Sequence, residues 1–557
     1  CKKWLKDFEK KKGRPLKILH VGNIANNAYL NAKLQRKFGI IADVICHDYK
    51  HIMGCPEWED SEFIGSWGDD FDPDFKKACD PKFKRPKWFF TGTRKEAIDK
   101  IYNQEYQSKN YNLKLNYKFI KRIKLIIYFS VKFLFYIKLI IYFPVKLLII
   151  CFKKTFIIIN NIKVNFIKIL KKYKVLKSLI NSIKNILKRG RSLIKISTKF
   201  SKLYQFKNTI LNISAYFIFR LRYIRIVYFY LKKKYKVLKI NKRFKNSFPS
   251  FLPYFQAADQ YEKIIHNYDL IQAYGLDPIF FNLINKKVPV IAFEHGTIRK
   301  IPFKEDLQGF LTKFAYQNSD HTLITNADNI IAAKKLDIKS FSFIPHPINE
   351  DFKKKGDNLN LKEKFNCNEI IFHPARHDWG VNSPDKSMHK GNDILIKGFS
   401  KYLKKVNPNA LCICTDWGIS TKDSKKLIKE LNIEDRFHWI RPQPNLEFMK
   451  YISSADIVAD QFSLGAFGSL TPKALMLGVP VIIYLDESLH KWAFEETPPI
   501  LNAQSTNQVF SQLSKCFNDK NFRNTISTKS KEWYKKYHSN NKILRISCYQ
   551  YSKILEY

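Results

Sequence analysis

Short apolar runs alternate with amphipathic stretches near the start of the chain. The first run, residues 16–21, ends at Gly22 and leads into a helical pattern over residues 28–38, after which a second apolar run covers residues 41–46. A strand, a glycine turn, a helix and a strand in this order are typical of the βαβ unit that opens a doubly wound parallel sheet.

The alternation stops near residue 110 and resumes after residue 260. Further apolar runs predict strands of a first domain at 270–273, 288–293, 322–325 and 341–344. A second series predicts strands at 370–373, 411–414, 437–440, 457–459 and 479–484. The predicted fold class is α/β, with two Rossmann-like doubly wound domains facing a cleft. Ligands of such domains bind at the carboxyl ends of the strands.

This organisation divides the chain into five parts. Residues 1–112 and 251–348 form the two parts of an N-terminal Rossmann-like domain, and residues 113–250 form an insert between them. Residues 349–525 form a C-terminal Rossmann-like domain, and residues 526–557 form a C-terminal helix. A chain of 557 residues is long enough for more than one hydrophobic core.

The basic character of the chain is concentrated around this insert. The formal net charge is +49, but residues 106–258 contain 36 Lys and Arg and no Asp or Glu. Outside residues 106–258, the net charge of the chain is only modestly positive, as in an ordinary soluble enzyme. The high total charge therefore describes the insert rather than the two domains.

The most apolar part of the insert, residues 125–152, is long enough to span a bilayer but is interrupted by lysines and Pro144. On a helix, five lysines fall within an arc of about 120°: Lys124, Lys132, Lys138, Lys146 and Lys153. Burying each lysine at mid-membrane would cost roughly 2.5–3.5 kcal/mol, whereas each contributes about 1 kcal/mol beside lipid phosphates. We therefore expect an amphipathic insert that lies on an anionic membrane surface.

Two other interpretations of the insert stay open. One is a helical arm or a poorly ordered segment whose Lys, Ile and Asn content reflects compositional drift. The other is nucleic-acid binding, but the residues between the basic positions are largely aliphatic and no reader motif is present. We expect no nucleic-acid partner.

The ten cysteines are spread over the whole length, without a C-x-x-C pair or a Cys/His cluster at zinc-ligand spacing. We therefore expect neither a disulfide scaffold nor a structural metal site, and we expect Cys412 and Cys414 to pack in a core. A cytoplasmic location, peripheral to the inner face of the membrane, fits this cysteine usage. The first residues contain no secretory signal, and Cys1 in place of Met leaves the true start open.

Two cations occupy notable positions in the second series. Arg376 follows the predicted strand 370–373, and the Lys390-Gly391 pair precedes a helical pattern over residues 394–404. An arginine past a strand end and a lysine at a helix N-terminus would direct fixed positive charge into the cleft. This arrangement suits a diphosphate leaving group, on which negative charge builds as its bond to carbon breaks. Each residue alone would more often be a surface charge.

A glycine-rich loop over residues 460–470 leads into a helical pattern that ends at Gly478. Gly465 and Gly468 lie on either side of Phe467 in this loop. Without side chains at these glycines, backbone N–H groups can approach a phosphate or a sugar closely, with the helix dipole behind them.

These features resemble the donor-binding half of family 4 retaining glycosyltransferases, which have the two-domain GT-B fold. The resemblance covers nearly all of the chain outside the insert. It is carried by Arg376, the Lys390-Gly391 pair, the string from Phe467 to Val481, the Val21-Gly22 turn and the segment 293–297.

The resemblance implies roles for particular residues in binding a nucleotide-sugar donor. Arg376 and Lys390 would hold its diphosphate. The loop containing Gly465, Phe467 and Gly468 would hold its sugar and phosphate.

The resemblance also implies roles for two residues of the first domain. Gly22 would let its loop approach the donor, and His295 would be the catalytic residue near the reacting carbon. Members of the family retain anomeric configuration without a metal ion. We therefore expect no metal site and no cofactor other than the nucleotide-sugar substrate.

One pair of positions departs from the family pattern. The family places two acidic residues eight positions apart, where this chain has Gly465 and Lys473. The second acid accepts hydrogen bonds from ribose hydroxyls, whereas a lysine can only donate. Lys473 is therefore expected to bind the donor differently, through a phosphate or an acidic sugar.

The sequence predicts a glycosyltransferase that moves a sugar from a nucleotide-sugar to a lipid-linked or surface-polysaccharide acceptor. The insert would hold the cleft near the membrane where that acceptor lies. The alternative is a non-catalytic sugar-nucleotide or glycan binder, or a membrane scaffold, that kept the fold after losing the acidic pair.

Overall fold

The computed structural model describes residues 1–47, 51–109, 248–284, 288–352, 359–381, 383 and 389–556. The proposed insert, residues 113–250, lies outside the described residues except for its last three positions. Within the described ranges, no helix has both the length and the apolar character needed to cross a membrane.

Seven parallel strands form the first sheet, in the order β3-β2-β1-β4-β5-β6-β7. Their bounds are β1 (Lys17–Val21), β2 (Ile41–His47), β3 (Phe89–Gly92), β4 (Leu270–Tyr274), β5 (Val290–Glu294), β6 (His321–Ile324) and β7 (Phe341–Phe343). In the centre of the sheet, Leu19 of β1 pairs with Asp43 on one side and Ile271 on the other. The strand order reverses between β1 and β4, as in a doubly wound fold.

Helices accompany the strands of this sheet. Their bounds are α1 (Lys2–Lys12), α2 (Asn27–Arg36), α3 (Pro56–Asp60), α4 (Phe75–Ala78), α5 (Arg94–Lys109), α6 (Phe248–Tyr261), α7 (Pro278–Leu283), α8 (Leu307–Asn318) and α9 (Ile330–Lys335). The short helix α3 contributes residues to the candidate functional site.

Six parallel strands form the second sheet, in the order β10-β9-β8-β11-β12-β13. Their bounds are β8 (Glu369–His373), β9 (Ala410–Thr415), β10 (Phe437–Ile440), β11 (Ile457–Ala459), β12 (Val481–Ile483) and β13 (Leu501–Asn502). The strand order again reverses at the first strand, so both halves of the chain are doubly wound.

Helices also accompany the second sheet and follow it to the end of the chain. Their bounds are α10 (Leu361–Lys364), α11 (Asn392–Lys405), α12 (Thr421–Glu430), α13 (Asn445–Ser454), α14 (Leu470–Leu477), α15 (Glu487–His490), α16 (Thr506–Asn518), α17 (Lys520–Tyr537) and α18 (Asn540–Ile554).

The predicted α/β class with two doubly wound sheets is confirmed. Parallel strands that are covered on both faces read as continuous apolar runs, which is why the sequence pattern reveals them. Ile18, Leu19 and Val21 of β1 are fully buried. Cys412 and Cys414 of β9 are also fully buried, as predicted for core residues.

The last helix returns to the first sheet. In α18, the Tyr551 hydroxyl donates to Gln272 Oε1 at 2.7 Å and accepts from Gln35 Nε2 at 3.0 Å. The disulfide partners Cys1 and Cys548, whose Cα atoms are 5.5 Å apart, lie beside this contact. This cysteine pair was not predicted from the sequence.

Candidate functional site

A cavity of about 400 Å³ lies between loops and helices of the two halves of the chain, the first containing the first sheet and the second containing the second sheet. The first sheet's half contributes residues of the loop after β1 and of the region around α3: Ala25, Met53, Trp58 and Glu59. The second half contributes Pro374, Ala375, Arg376, Lys390, Thr415, Trp417, Pro442, Gln443, Asn445, Phe448, Asp460, Gly468, Ser469, Leu470 and Lys473. The cavity therefore opens at the carboxyl ends of parallel strands, where ligands of doubly wound domains bind.

Arg376 and Lys390 both line this cavity. The Arg376 Nη2 atom lies 2.9 Å from Asp378 Oδ2, which orients the guanidinium. Its buried Nε atom has no hydrogen-bond partner among the described residues. A buried donor without a partner is costly, and an anion in the cavity would satisfy it.

A third cation, Arg299, lies close enough to act on Lys390. Burial lowers the pKa of Lys390; Asp460 and Asp378 raise it, whereas the positive charges of Arg376 and Arg299 lower it further. Arg299 itself bonds Asp328 through Nη2 at 2.6 Å. Positive charge from both halves of the chain therefore converges on Lys390.

The backbone around Lys390 fixes its position at the start of α11. Lys390 N donates to Asp378 O at 2.7 Å, and Phe462 N donates to Lys390 O at 2.6 Å. The next residue, Gly391, has φ +68°, and a Cβ there would lie 2.6 Å from Ser463 Oγ. Only glycine fits both this left-handed conformation and this close approach of the loop.

Lys473 lines the same cavity but has a different set of neighbours. Its Nζ atom donates to Asn445 Oδ1 at 2.7 Å and lies 5.2 Å from the centre of the Phe448 ring. Burial lowers the pKa of Lys473, and the nearby carboxylate of Glu59 raises it. Lys473 therefore lies beside a carboxylate from the other half of the chain.

The loop after β1 reaches the cavity through Ala25 rather than through Gly22. Gly22 has φ +85°, and a Cβ there would lie 2.3 Å from Asp277 Oδ2 and 3.4 Å from Tyr274 Cβ. Close packing explains the glycine at this position. Ala25, which lines the cavity, has φ +46° although it is not glycine, a conformation that costs about 1–3 kcal/mol.

The glycine-rich loop divides its residues between the cavity and the core. Gly468 lines the cavity, and a Cβ there would meet no described atom within 4 Å. Phe467 is buried, with its ring centroid 5.3 Å from that of His490. Gly465 has φ +70° and packs against Asp486. Neither Phe467 nor Gly465 lines the cavity.

His295 follows β5 and lies against other rings rather than on the cavity wall. Its ring centroid is 5.6 Å from that of Tyr274 and 6.0 Å from that of His346. Burial, assisted by the charge of His346, holds the pKa of His295 well below its usual value. Its Nε2 atom has no partner among the described residues, so a neutral imidazole is available there.

Glu294 organises the loop that carries His295 and Arg299. Its Oε1 atom accepts from Gly296 N at 2.5 Å and from Ile298 N at 3.1 Å, and its Oε2 atom accepts from Asn329 at 2.5 Å. Burial raises the pKa of Glu294 to about 7, although these hydrogen bonds and Arg299 oppose the shift. The carboxyl group thus holds the loop that carries Arg299, whose charge acts on Lys390.

Several residues at the site were not predicted from the sequence, among them Trp58 and Glu59 of the cavity wall and Arg299, whose charge acts on Lys390. Each of these three belongs to the first sheet's half, and no spacing pattern along the chain connects it with Arg376 or Lys390. In the described parts of the chain, no group of three or more His, Cys, Asp or Glu residues is placed to hold a metal ion.

Residues 386–531 match the family described as glycosyl transferases group 1. This segment contains Lys390, the glycine-rich loop and Lys473. The chain matches this family over part of its second half. No curated protein matches its sequence.

Several solved structures align with this chain at low identity. HepE from Anabaena, in complex with UDP-glucose, aligns over 53% of this chain and 82% of its own, at 15% identity and a TM-score of 0.43. A glycosyltransferase from Rickettsia africae aligns over 57% and 84%, at 15% identity and a TM-score of 0.42. Sucrose-phosphate synthase from Thermosynechococcus elongatus aligns over 54% and 79%, at 14% identity and a TM-score of 0.41.

Proposed function

We propose that the protein is a glycosyltransferase that takes its sugar from a nucleotide diphosphate-sugar bound in the cavity between the two sheets. The observation that carries this proposal is that Arg376 and Lys390 both line the cavity, with the positive charge of Arg299 also acting on Lys390. The unpartnered Nε atom of Arg376 supports an anionic ligand at this point. A diphosphate is the anionic group that a sugar donor brings to such a site.

In the proposed reaction the bond between the sugar's anomeric carbon and the diphosphate oxygen breaks, and its electron pair stays on that oxygen. The acceptor hydroxyl oxygen bonds to the anomeric carbon, and its proton passes to the departing diphosphate oxygen. Arg376 and Lys390 would stabilise the charge that develops on the diphosphate, which allows a reaction without a metal ion. Retention of configuration is proposed from the resemblance to family 4 enzymes, and His295 remains the proposed catalytic residue.

We propose a lipid-linked or surface-polysaccharide acceptor, and attachment to an anionic membrane surface through residues 113–250. The support is the sequence of that segment, in which lysines and arginines alternate with aliphatic and aromatic residues. Attachment to the surface would bring the cavity close to an acceptor that is itself confined to the membrane.

The full-length protein is expected to release a nucleoside diphosphate from at least one member of a panel of nucleotide-sugars when membranes are present. Chromatography of the nucleotide products measures this directly. A protein that binds a donor in calorimetry but turns over no member of the panel would contradict the proposed enzymatic function.

Replacement of the five lysines of the predicted stripe by glutamine is expected to weaken binding to anionic vesicles. The stripe comprises Lys124, Lys132, Lys138, Lys146 and Lys153. Each lysine near an anionic surface contributes about 1 kcal/mol, so binding should fall at least about 100-fold. Sedimentation with vesicles that contain phosphatidylserine measures the loss.

The matched control for this change is a variant with five lysines of the second domain replaced by glutamine: Lys401, Lys404, Lys405, Lys422 and Lys426. This control loses the same formal charge and should sediment with vesicles nearly as well as the original protein. Equal losses in the two variants would show that net charge, and not the stripe, determines membrane binding.

A further inference from the structure

Glu59 presents an unpaired carboxylate oxygen at the wall of the cavity. The residue lies in helix α3 and is only 5% exposed. Its Oε2 atom is buried and has no hydrogen-bond partner among the described residues. Burial raises the pKa of Glu59, whereas Lys473 lowers it. A buried acceptor without a donor is costly, so the structure indicates a donor that a ligand would supply.

The surroundings of Glu59 place it on the side of the cavity that suits a nucleoside. The neighbouring Trp58 lines the cavity, and α3 packs against α13, which contributes Asn445 and Phe448. The aromatic side chains of Trp58 and Phe448 can contact a nucleobase. The proposed diphosphate site involves different contacts, since Arg376 pairs with Asp378 at 2.9 Å whereas Lys473 donates to Asn445 at 2.7 Å.

Asp460 is the other acidic side chain on the cavity wall. Its Oδ2 atom accepts from the Thr471 hydroxyl at 2.6 Å. Burial raises the pKa of Asp460, and the charge of Lys390 lowers it. Asp460 therefore belongs with Lys390 at the proposed diphosphate site, whereas Glu59 keeps one buried oxygen without a partner among the described residues.

Lys473 complements Glu59 at this point. Its hydrogen bond goes to Asn445 Oδ1, so within the described residues it has two further N–H groups available. A hydroxyl group both donates and accepts. A ligand hydroxyl between the two side chains could therefore donate to Glu59 while it accepts from Lys473.

We propose that Glu59 is the acceptor for the ribose hydroxyls of the donor nucleotide, with Lys473 as their donor. This inference rests on the proposed function, since it requires a nucleoside diphosphate in the cavity. The ribose joins the base to the diphosphate, so a ligand held at the cations and at the aromatic wall brings its ribose between them. The carboxylate thus comes from the first half of the chain and the ammonium group from the second half.

The test compares the affinities of ribonucleoside diphosphates with those of their 2′-deoxy counterparts, by calorimetry on the full chain. The original protein should prefer at least one ribonucleotide by about 10- to 100-fold, because a hydrogen bond to a charged group has that effect. Glu59→Gln keeps the shape of the side chain and should reduce this preference to about threefold or less. Glu57→Gln, on the same helix but paired with Arg85 at 2.8 Å, should keep it.

A reversed pair provides a second test that does not depend on one substitution. Glu59→Lys and Lys473→Glu should each weaken ribonucleotide binding, because each places like charges together. The double variant Glu59→Lys/Lys473→Glu should recover most of the affinity and of the preference for ribose. Failure of the double variant to recover, with melting temperatures unchanged, would overturn the inference.

The outcomes separate this inference from the proposed function. An unchanged ribose preference in Glu59→Gln, with normal nucleotide binding, overturns the role of Glu59 and leaves the proposed donor class intact. If the original protein binds no nucleoside diphosphate at all, both proposals fall. Loss of affinity in Glu59→Gln that is equal for ribo- and deoxyribonucleotides would also contradict a contact to the 2′-hydroxyl.

Discussion

Replacement of Arg376 or Lys390 by alanine is expected to lower kcat/KM for sugar transfer by about 100-fold or more. Preorganised groups that stabilise developing charge typically contribute factors of about 100 to 1,000. Both side chains line the cavity, and the positive charge of each acts on the other. Steady-state assays on purified variants, with the donor identified by the nucleotide-sugar panel, measure the loss.

A lysine on the same helix provides the matched control for this prediction. Lys397 lies within α11, downstream of Lys390, and its Nζ atom pairs with Asp393 at 3.0 Å on the surface. Lys397→Ala should keep kcat/KM within about twofold, since an exposed pair of this kind contributes little. Activity within a few-fold of the original in both Arg376→Ala and Lys390→Ala would contradict the assignment of the diphosphate site.

The double variant adds information about how the two cations work. If both cations stabilise the same developing charge, the loss of kcat/KM in the double variant should be smaller than the product of the two single losses. Removing the second cation then costs less, because the first removal has already impaired the site. A fully multiplicative loss would instead indicate two independent roles. The same assays distinguish these results.

The strands that sequence patterning missed are both at sheet edges. β3 and β13 are terminal strands in their sheets. In β3 only Phe89 and Phe90 are buried, and β13 contains just two residues. Strands in the centre of a parallel sheet are covered on both faces and therefore consist of continuous apolar sequence. Edge strands are less covered and can be shorter and less apolar. The central strands were therefore predictable, whereas β3 and β13 were not, although the other two edge strands, β7 and β10, were also predicted.

The two cations of the second domain were predictable because each lies within a local motif. Arg376 follows the end of β8, and Lys390 precedes the glycine that starts α11. Glu59 and Arg299 carry no such signal, because their relevance comes from contacts between segments that are far apart in sequence. The replacement of an acid by Lys473 was visible in the sequence, but the carboxylate beside it became apparent only from the fold.

The remaining prediction concerns Gly418, which follows Trp417 in the loop after β9. A Cβ at Gly418 would lie 2.3 Å from the backbone oxygen of His377 and 2.8 Å from Arg376 Cγ, and its φ is +116°. Gly418→Ala is therefore expected to lower the free energy of unfolding by about 2–5 kcal/mol, from backbone strain and overlap together. It should also reduce transfer activity, because the overlap displaces the backbone that carries Arg376.

Gly380 offers the control that separates overlap from backbone strain. It has φ +73°, but a Cβ there would meet no described atom within 4 Å. Gly380→Ala should cost only about 1–2 kcal/mol, the price of a left-handed conformation alone, and should leave donor binding nearly unchanged. Denaturant unfolding of the two variants, with donor affinity measured in parallel, gives both quantities. Equal destabilisation in the two variants would mean that the loop after β9 can move away from His377, and that it does not fix Arg376 in place.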